Sequence, residues 1–207
     1  IGDKDLCFCC HHRGRSRDKV VYVTPQYSLE ALLFTGFAGH TMLLRRDFAQ
    51  QHEHWAGYIH YDWSLAIHAQ LGQGIVRIDE PLNWHRSHAT SAIAQENLAH
   101  GIDNSTPQRL APYLHGYRNY RQLQSKPNWQ QLYTYIYNAS THCQPLVHRM
   151  SGLMLQRGPV PLLKLCLLCA RHRKSIYYNQ NAKGLMGWIR SFFYPFIFTY
   201  HNVQYDL

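Results

Sequence analysis

Near Thr90 the hydrophobic pattern of this 207-residue chain changes its period, and that change limits the fold more than any single motif does. Before it, short runs rich in β-branched, aromatic and Cys residues alternate with polar turn segments; after it, apolar residues recur at helical spacing. The fold class expected is α/β: a small sheet with interspersed helices, followed by an α-helical C-terminal extension. The expected division is 1–95 and 96–207.

In the first region, Leu6 to Cys10 and Val20 to Thr24 read as strands joined by an exposed loop at Arg13-Gly14-Arg15-Ser16-Arg17-Asp18. Ser28 caps a helix over Leu29 to Phe34, with Glu30 in the first turn, where the helix dipole favours an acid. A loop holding Gly36, Gly39 and His40 leads into a buried strand from Thr41 to Leu44, and a short helix begins at Arg45-Arg46-Asp47. Asp62 caps or opens the next helix; Trp63, Leu65, Ala66, Ala69 and Leu71 supply its apolar side, and Gly72 stops it. Ile75 to Asp79 is expected as one strand and Leu82 to Ser87 as another. Beyond Thr90, helices are expected near 92–101, 107–124, 128–140, 145–157 and 160–174, set apart by Pro, Gly or Asn.

A composition of 45% hydrophobic and 14% aromatic residues, with fifteen Tyr, supports a buried core and excludes a disordered or purely electrostatic chain. The 21 Lys and Arg against 12 Asp and Glu leave a charge of +9, which suits an anionic partner. Arg171, Arg173, Lys174, Lys183 and Arg190 load the C-terminal part beside aromatic residues, a mixture that favours a membrane face over a DNA groove; no nucleic acid is expected as a partner. No apolar run approaches the roughly 20 residues that a membrane-crossing helix needs. With no signal-peptide pattern at the start, the expected location is cytoplasmic, peripheral to the inner face of the membrane, with the six Cys as free thiols.

The segment Cys7-Phe8-Cys9-Cys10-His11-His12 crowds five metal-ligating side chains into six residues, but a zinc site needs a second ligand pair across a folded loop. The remaining pair, Cys166 and Cys169, lies in a Leu-rich helical pattern, so strand alternation and a helix face account for these Cys better. Asp3-Lys4-Asp5 has the acid-any-acid form that holds a divalent ion on a diphosphate, yet only Ile1 and Gly2 stand where a buried strand would have to precede it; a solvated loop is expected. Asp62 offers different chemistry. A carboxylate at a helix start between Tyr61 and Trp63 can take the proton of an attacking hydroxyl, with the rings as a sugar platform; the plainer role is an N-cap.

The order of these pieces resembles the acceptor half of the family 2 glycosyltransferases of the rhamnosyltransferase-like kind: Gly39 leading to Arg45-Arg46, Asp62-Trp63 at a helix start, a strand ending Asp79-Glu80-Pro81-Leu82, then Arg86 and His88. The likeness covers residues 5 to 95. It implies a partial A-type glycosyltransferase fold, Rossmann-like, followed by the helical extension. The implied reaction is transfer of a sugar, with inversion, from a nucleotide-diphosphate sugar to a saccharide or lipid-linked acceptor in cell-surface polysaccharide synthesis. On this resemblance Asp62 is the general base; Gly39, His40, Tyr61 and Trp63 line the acceptor; and Arg86 and His88 meet the donor diphosphate. His88 would also complete the ligand set of a divalent cation, Mn or Mg, whose other ligands lie in a donor-binding half. That half is missing from these residues, so the chain is expected to be an incomplete fragment, inactive alone. His85 stands where the resemblance expects an aromatic or apolar residue, which leaves His85 and His88 both open as the imidazole facing the site.

Lys183 to Tyr200 mixes Leu185, Met186, Trp188, Phe192, Phe196 and Phe198 with basic residues, a composition suited either to an anionic headgroup layer or to packing on the core. Two other function classes stay open: a basic aromatic module that stacks single-stranded nucleic acid, and a zinc-stapled interaction domain.

Overall fold

The β-prone run at the N-terminus continues past its apolar part: strand β1 (Leu6–Gly14) extends through His11-His12-Arg13. A computed structural model of the chain describes every residue except 1, 15–19, 24–26, 37, 52–59, 87, 89, 91–94, 96–109, 143, 177–183 and 205–207, and except the side chains of 14, 20–23 and 201. Strand β1 is the centre of the sheet. On one edge it carries β2 (Val20–Val23), antiparallel against His11 to Gly14, and β3 (Met42–Leu44), antiparallel against Leu6 to Phe8. Its other edge pairs in parallel with β4 (Ile75–Arg86) along the whole length. The result is a four-stranded mixed sheet, three strands wide at any level.

Two expectations about the strands are corrected. Ile75 to Asp79 and Leu82 to Ser87 are not separate strands: a single β4 passes through Asp79-Glu80-Pro81-Leu82 with two register shifts, opposite Cys9/Cys10 and Cys10/His11. Pro81 has no N–H to give a ladder, and an irregularity on an edge strand is where a sheet tolerates it. The segment Thr41 to Leu44 is not a buried strand throughout, because Gly39–Thr41 forms a 3-10 turn and Leu43 of β3 is 64% exposed.

Helix α1 (Leu29–Leu32) starts as expected at Ser28, whose Oγ accepts the Ala31 N–H at 3.3 Å and donates to the Ser175 carbonyl at 2.7 Å. Helices α2 (Arg46–Gln51) and α3 (Tyr61–Leu71) follow. The helical region begins with α4 (Ala111–Leu114) and α5 (Gly116–Ser125), where one helix near 107–124 was expected. It continues with α6 (Pro127–Ser140), α7 (Pro145–Leu155), α8 (Pro159–Arg171), α9 (Arg173–Ile176), α10 (Gly184–Phe192) and α11 (Tyr194–Gln204). Four of these helices, α4, α6, α7 and α8, have Pro in their first two positions, where the missing N–H costs nothing. The expected helix near 92–101, apart from helical Gln95, the Arg15 to Asp18 loop segment and the boundary at 95/96 lie outside the described residues. Among the described residues, no helix is long and apolar enough to cross a membrane.

One apolar core joins the sheet region to the helical region. Leu6, Phe8, Leu32 and Trp63 share it with Trp129, Tyr133 and Phe198. A hydrogen bond crosses the same seam, from Tyr133 Oη to the Leu33 carbonyl at 2.8 Å, and beside it, within the sheet region, the Trp63 Nε1–H donates to the Leu32 carbonyl at 2.7 Å. Cys7, Cys9 and Cys10 are buried in β1, and Cys166 and Cys169 in α8, all as free thiols. Burial pushes the Cys166 thiol up to about 12 and that of Cys169 well above its ordinary value, so these groups act as small apolar side chains.

Asp5 is not part of a solvated loop. It is 4% exposed; its Oδ2 accepts the Gln73 N–H at 2.7 Å, and its Oδ1 lies 3.2 Å from Arg45 Nη2. This carboxylate ties the start of β1 to the α3–β4 turn and to the end of β3. Gly72 makes room for it, since a Cβ there would stand 2.6 Å from Asp5 Oδ2. Asp5→Ala leaves the Gln73 amide without its acceptor, while Arg45 keeps Asp47 as a partner, and is expected to lower stability by about 1–3 kcal/mol in urea unfolding. Gly116→Ala sets two effects against each other. Alanine gains about 1 kcal/mol of helix propensity, but its Cβ overlaps the Phe196 ring of α11. Overpacking costs about 1–3 kcal/mol, so a net loss of thermal stability is expected.

Candidate functional site

The two parallel strands β1 and β4 end side by side, with Gly14 opposite Arg86, and the polar side chains of interest gather near those carboxyl ends. Register explains how. Leu6 pairs with Ile75 and Phe8 with Arg77, but beyond the shifts His11 pairs with Asn83 and Arg13 with His85. Side chains alternate along a strand, so the odd-numbered residues of β4 change faces at Asp79 to Leu82. His11, Arg13, Asn83 and His85 thereby share one face.

His40 closes onto that face from the 3-10 turn. Its ring stacks on His85 at 4.8 Å between centroids and meets His11 edge-on at 5.4 Å, while the Asn83 side-chain amide donates to its carbonyl at 3.0 Å. The turn is in turn held by Asp62: the Gly39 N–H donates to Oδ2 at 3.1 Å, and the Trp63 N–H to Oδ1 at 2.8 Å. Asp62 is therefore in the first turn of α3 rather than its cap; the N-cap is His60, which makes no side-chain capping bond. Gly39 lies against the Tyr61 hydroxyl, which a Cβ there would push aside.

The structure thus brings Gly39, His40, Tyr61 and Asp62 together, with Asp62 half-buried and Tyr61 56% exposed. It does not place Trp63 on an acceptor surface. That ring is 5% exposed, edge-on to Trp129 at 5.4 Å and to Phe198 at 5.9 Å, so it holds the start of α3 from beneath. Arg86 is exposed on the opposite face of β4 from His85, and exposed His88 has its Nδ1 3.1 Å from Thr90 Oγ1. His85 is the imidazole that faces this group, stacked on His40. Gly57, Tyr58 and Ile59, just upstream of α3, lie outside the described residues.

Among the described residues no group of three or more His, Cys, Asp or Glu is arranged to hold a metal, and Asp5 is committed to Arg45 and Gln73. His88 belongs to no such group among them.

His11 and Asn83 belong to the site without having been singled out for it. The alternation of β1, carried two residues beyond Cys10, is the signal that would have found His11. The chemistry of the cluster is that of rings close to one another. Burial lowers the pKa of His11 below the ordinary 6.5, and the nearby His40, His85, Arg13 and His12 lower it further. Desolvation and the His85 ring likewise lower that of His40, against the Asp62 carboxylate, which raises it.

NMR titration is expected to show both imidazoles protonating below 6.5, and Asp62→Asn is expected to move His40 lower still. The unfolded chain then takes up protons before the folded one, so stability falls as pH drops from 6.5 toward the folded values. A His40 that titrates above 6.5 in the wild type contradicts this arrangement.

No protein-family model, curated protein or solved structure matches the chain, so the grouping around Asp62 stands on this chain's own geometry.

Proposed function

We propose that the face carrying Gly39, His40, Tyr61 and Asp62 is the acceptor wall of an inverting sugar transferase, and that the mixed sheet is the acceptor part of an A-type glycosyltransferase fold. The observation that carries the reading is the hydrogen bond from the Gly39 N–H to Asp62 Oδ2. It joins two segments that the resemblance to family 2 enzymes assigns to one subsite. Their position near the carboxyl ends of parallel strands adds support, since open α/β sheets bind ligands there.

In this reading the acceptor is a saccharide or lipid-linked hydroxyl compound and the donor a nucleotide-diphosphate sugar. The acceptor hydroxyl docks against Asp62, whose oxygens each keep a lone pair beyond the backbone bond already made. As the acceptor oxygen attacks the anomeric carbon, its proton passes to the Asp62 carboxylate and the bond from that carbon to the diphosphate oxygen breaks. Tyr61, exposed beside Gly39, offers a ring face to the sugar. Trp63 is a positioning residue, locking the start of α3 so that the carboxylate stays in place. Arg86, on the far face of β4 from His85, and His88, bonded to Thr90, have no part in this wall.

The test is sugar transfer in a polypeptide that joins a donor-binding half to these residues. Asp62→Asn is expected to lower kcat by about 10²–10⁴-fold while leaving nucleotide-sugar affinity unchanged. Retained turnover in that variant removes Asp62 as the base, and sugar transfer by residues 1–207 alone removes the need for a separate donor half.

A further inference from the structure

Helix α10 is folded with its apolar side outward. Its buried residues are Gly187 and Ser191, and the Ser191 hydroxyl is spent on the Gly187 carbonyl at 2.7 Å. Leu185, Met186 and Trp188 are 74%, 59% and 38% exposed. A helix on a globular surface ordinarily turns its apolar stripe to the core, and an outward stripe marks a place where something else covers it.

The stripe does not stop at the end of α10. Trp188 stacks on Phe192 at 5.6 Å, Phe192 meets Phe193 at 5.1 Å, and Phe193 meets Tyr113 of α4 at 5.2 Å. Beside Tyr113, Leu114 is 78% exposed. One helical turn further, Tyr117, Arg118 and Arg121 line an open groove of about 420 Å³ on α5. Charge singles out the same region. Residues 104–205 hold twelve of the 21 Lys and Arg and none of the 12 Asp and Glu.

We propose that this face, formed by α10, α4 and the start of α5, docks on an anionic lipid bilayer. Leu114, Leu185, Met186 and Trp188 enter the boundary between headgroups and acyl chains, and Arg118, Arg121 and Arg190 meet lipid phosphates. Charge complementarity selects the occupant: Arg118, Arg121 and Arg190 are exposed, and residues 104–205 hold no Asp or Glu to offset them. The exposed Leu and Met side chains select lipid over nucleic acid, whose backbone offers them nothing apolar. The surface differs from the expectation for Lys183 to Tyr200, because α11 is largely packed inward: Phe198 is buried against Trp63 and Trp129, and Phe196 packs over Gly116. Its partner is independent of the sugar-transfer reading.

The test is co-sedimentation of the whole chain with vesicles of phosphatidylcholine containing about 30% phosphatidylglycerol, and with vesicles of phosphatidylcholine alone. Binding is expected on the first and not on the second. Met186→Ser with Trp188→Ser is expected to weaken it about tenfold, as is Arg118→Gln with Arg121→Gln. Arg118 and Arg121 are exposed, so the melt of that variant should match the wild type; Trp188→Ser also gives up the stacking on Phe192, so Met186→Ser alone, with a smaller loss of binding, is the stability-neutral control. Equal binding to neutral vesicles, or affinity unchanged in both variants at wild-type stability, overturns the proposal. So does a vesicle-free dimer that Trp188→Ser dissolves, which gives the face to a second copy. Tight binding of a single-stranded oligonucleotide without vesicle binding gives it to nucleic acid.

Discussion

The indole of Trp63 is where the sheet and the helical region are locked to each other. Its N–H is fixed to the Leu32 carbonyl at 2.7 Å, and its faces and edges meet Trp129 from α6 and Phe198 from α11. An indole buried with its donor satisfied costs nothing in lost hydrogen bonding and retains the whole benefit of its apolar area. Gly36 allows the approach, because a Cβ there would lie 2.7 Å from that of Trp63. Since Asp62 is the preceding residue, the orientation of its carboxylate is set by a ring that belongs to the core. Packing between α6, α11 and α1 therefore reaches the polar cluster through one covalent bond.

Much of the secondary structure is legible in local signals. Ser28 acts through a hydroxyl that caps its own helix, and the Pro residues that open α6, α7 and α8 through their own backbone constraints, which neighbouring structure seldom overrides. What stays hidden is anything decided by a partner distant in sequence. Asp5 reads as a loop acid because Arg45 and the Gln73 amide, which surround it, are 40 and 68 residues away. Trp63 reads as a platform because an aromatic beside an acid looks the same whether it faces a ligand or a core. The site is legible in part for the same reason: Gly39, His40, Tyr61 and Asp62 can be named from their order, but their contact depends on how the 3-10 turn folds back on α3.

The unevenness of charge has a structural counterpart. Every Asp and Glu with an ion pair among the described residues, namely Asp5, Asp47 and Asp79, lies in or beside the sheet and pairs with Arg45 or Arg77. Among the described residues the helices α4 to α11 contain no Asp or Glu, and they are held together by aromatic edges and by side-chain donors bonded to backbone carbonyls. Tyr120 illustrates this: it is fully buried, its hydroxyl donates to the Leu153 carbonyl at 2.5 Å, and burial raises its pKa. The like-charged side chains of this part repel one another, so salt is expected to stabilise it by screening.

Strand β4 changes phase halfway along, and this divides it into two stretches under different obligations. Before Asp79, its inward residues answer to the core, where Ile75 sits beside Leu6. After Leu82, residues of the same parity answer to the histidine rings instead. The four residues Asp79 to Leu82 act as a coupling between the two stretches, and their number matters more than their identity. An odd change in that number would turn Asn83 and His85 to the far side of the sheet and leave the core untouched. A chain can therefore lose or regain this polar face by a change in length alone, with its folding machinery intact.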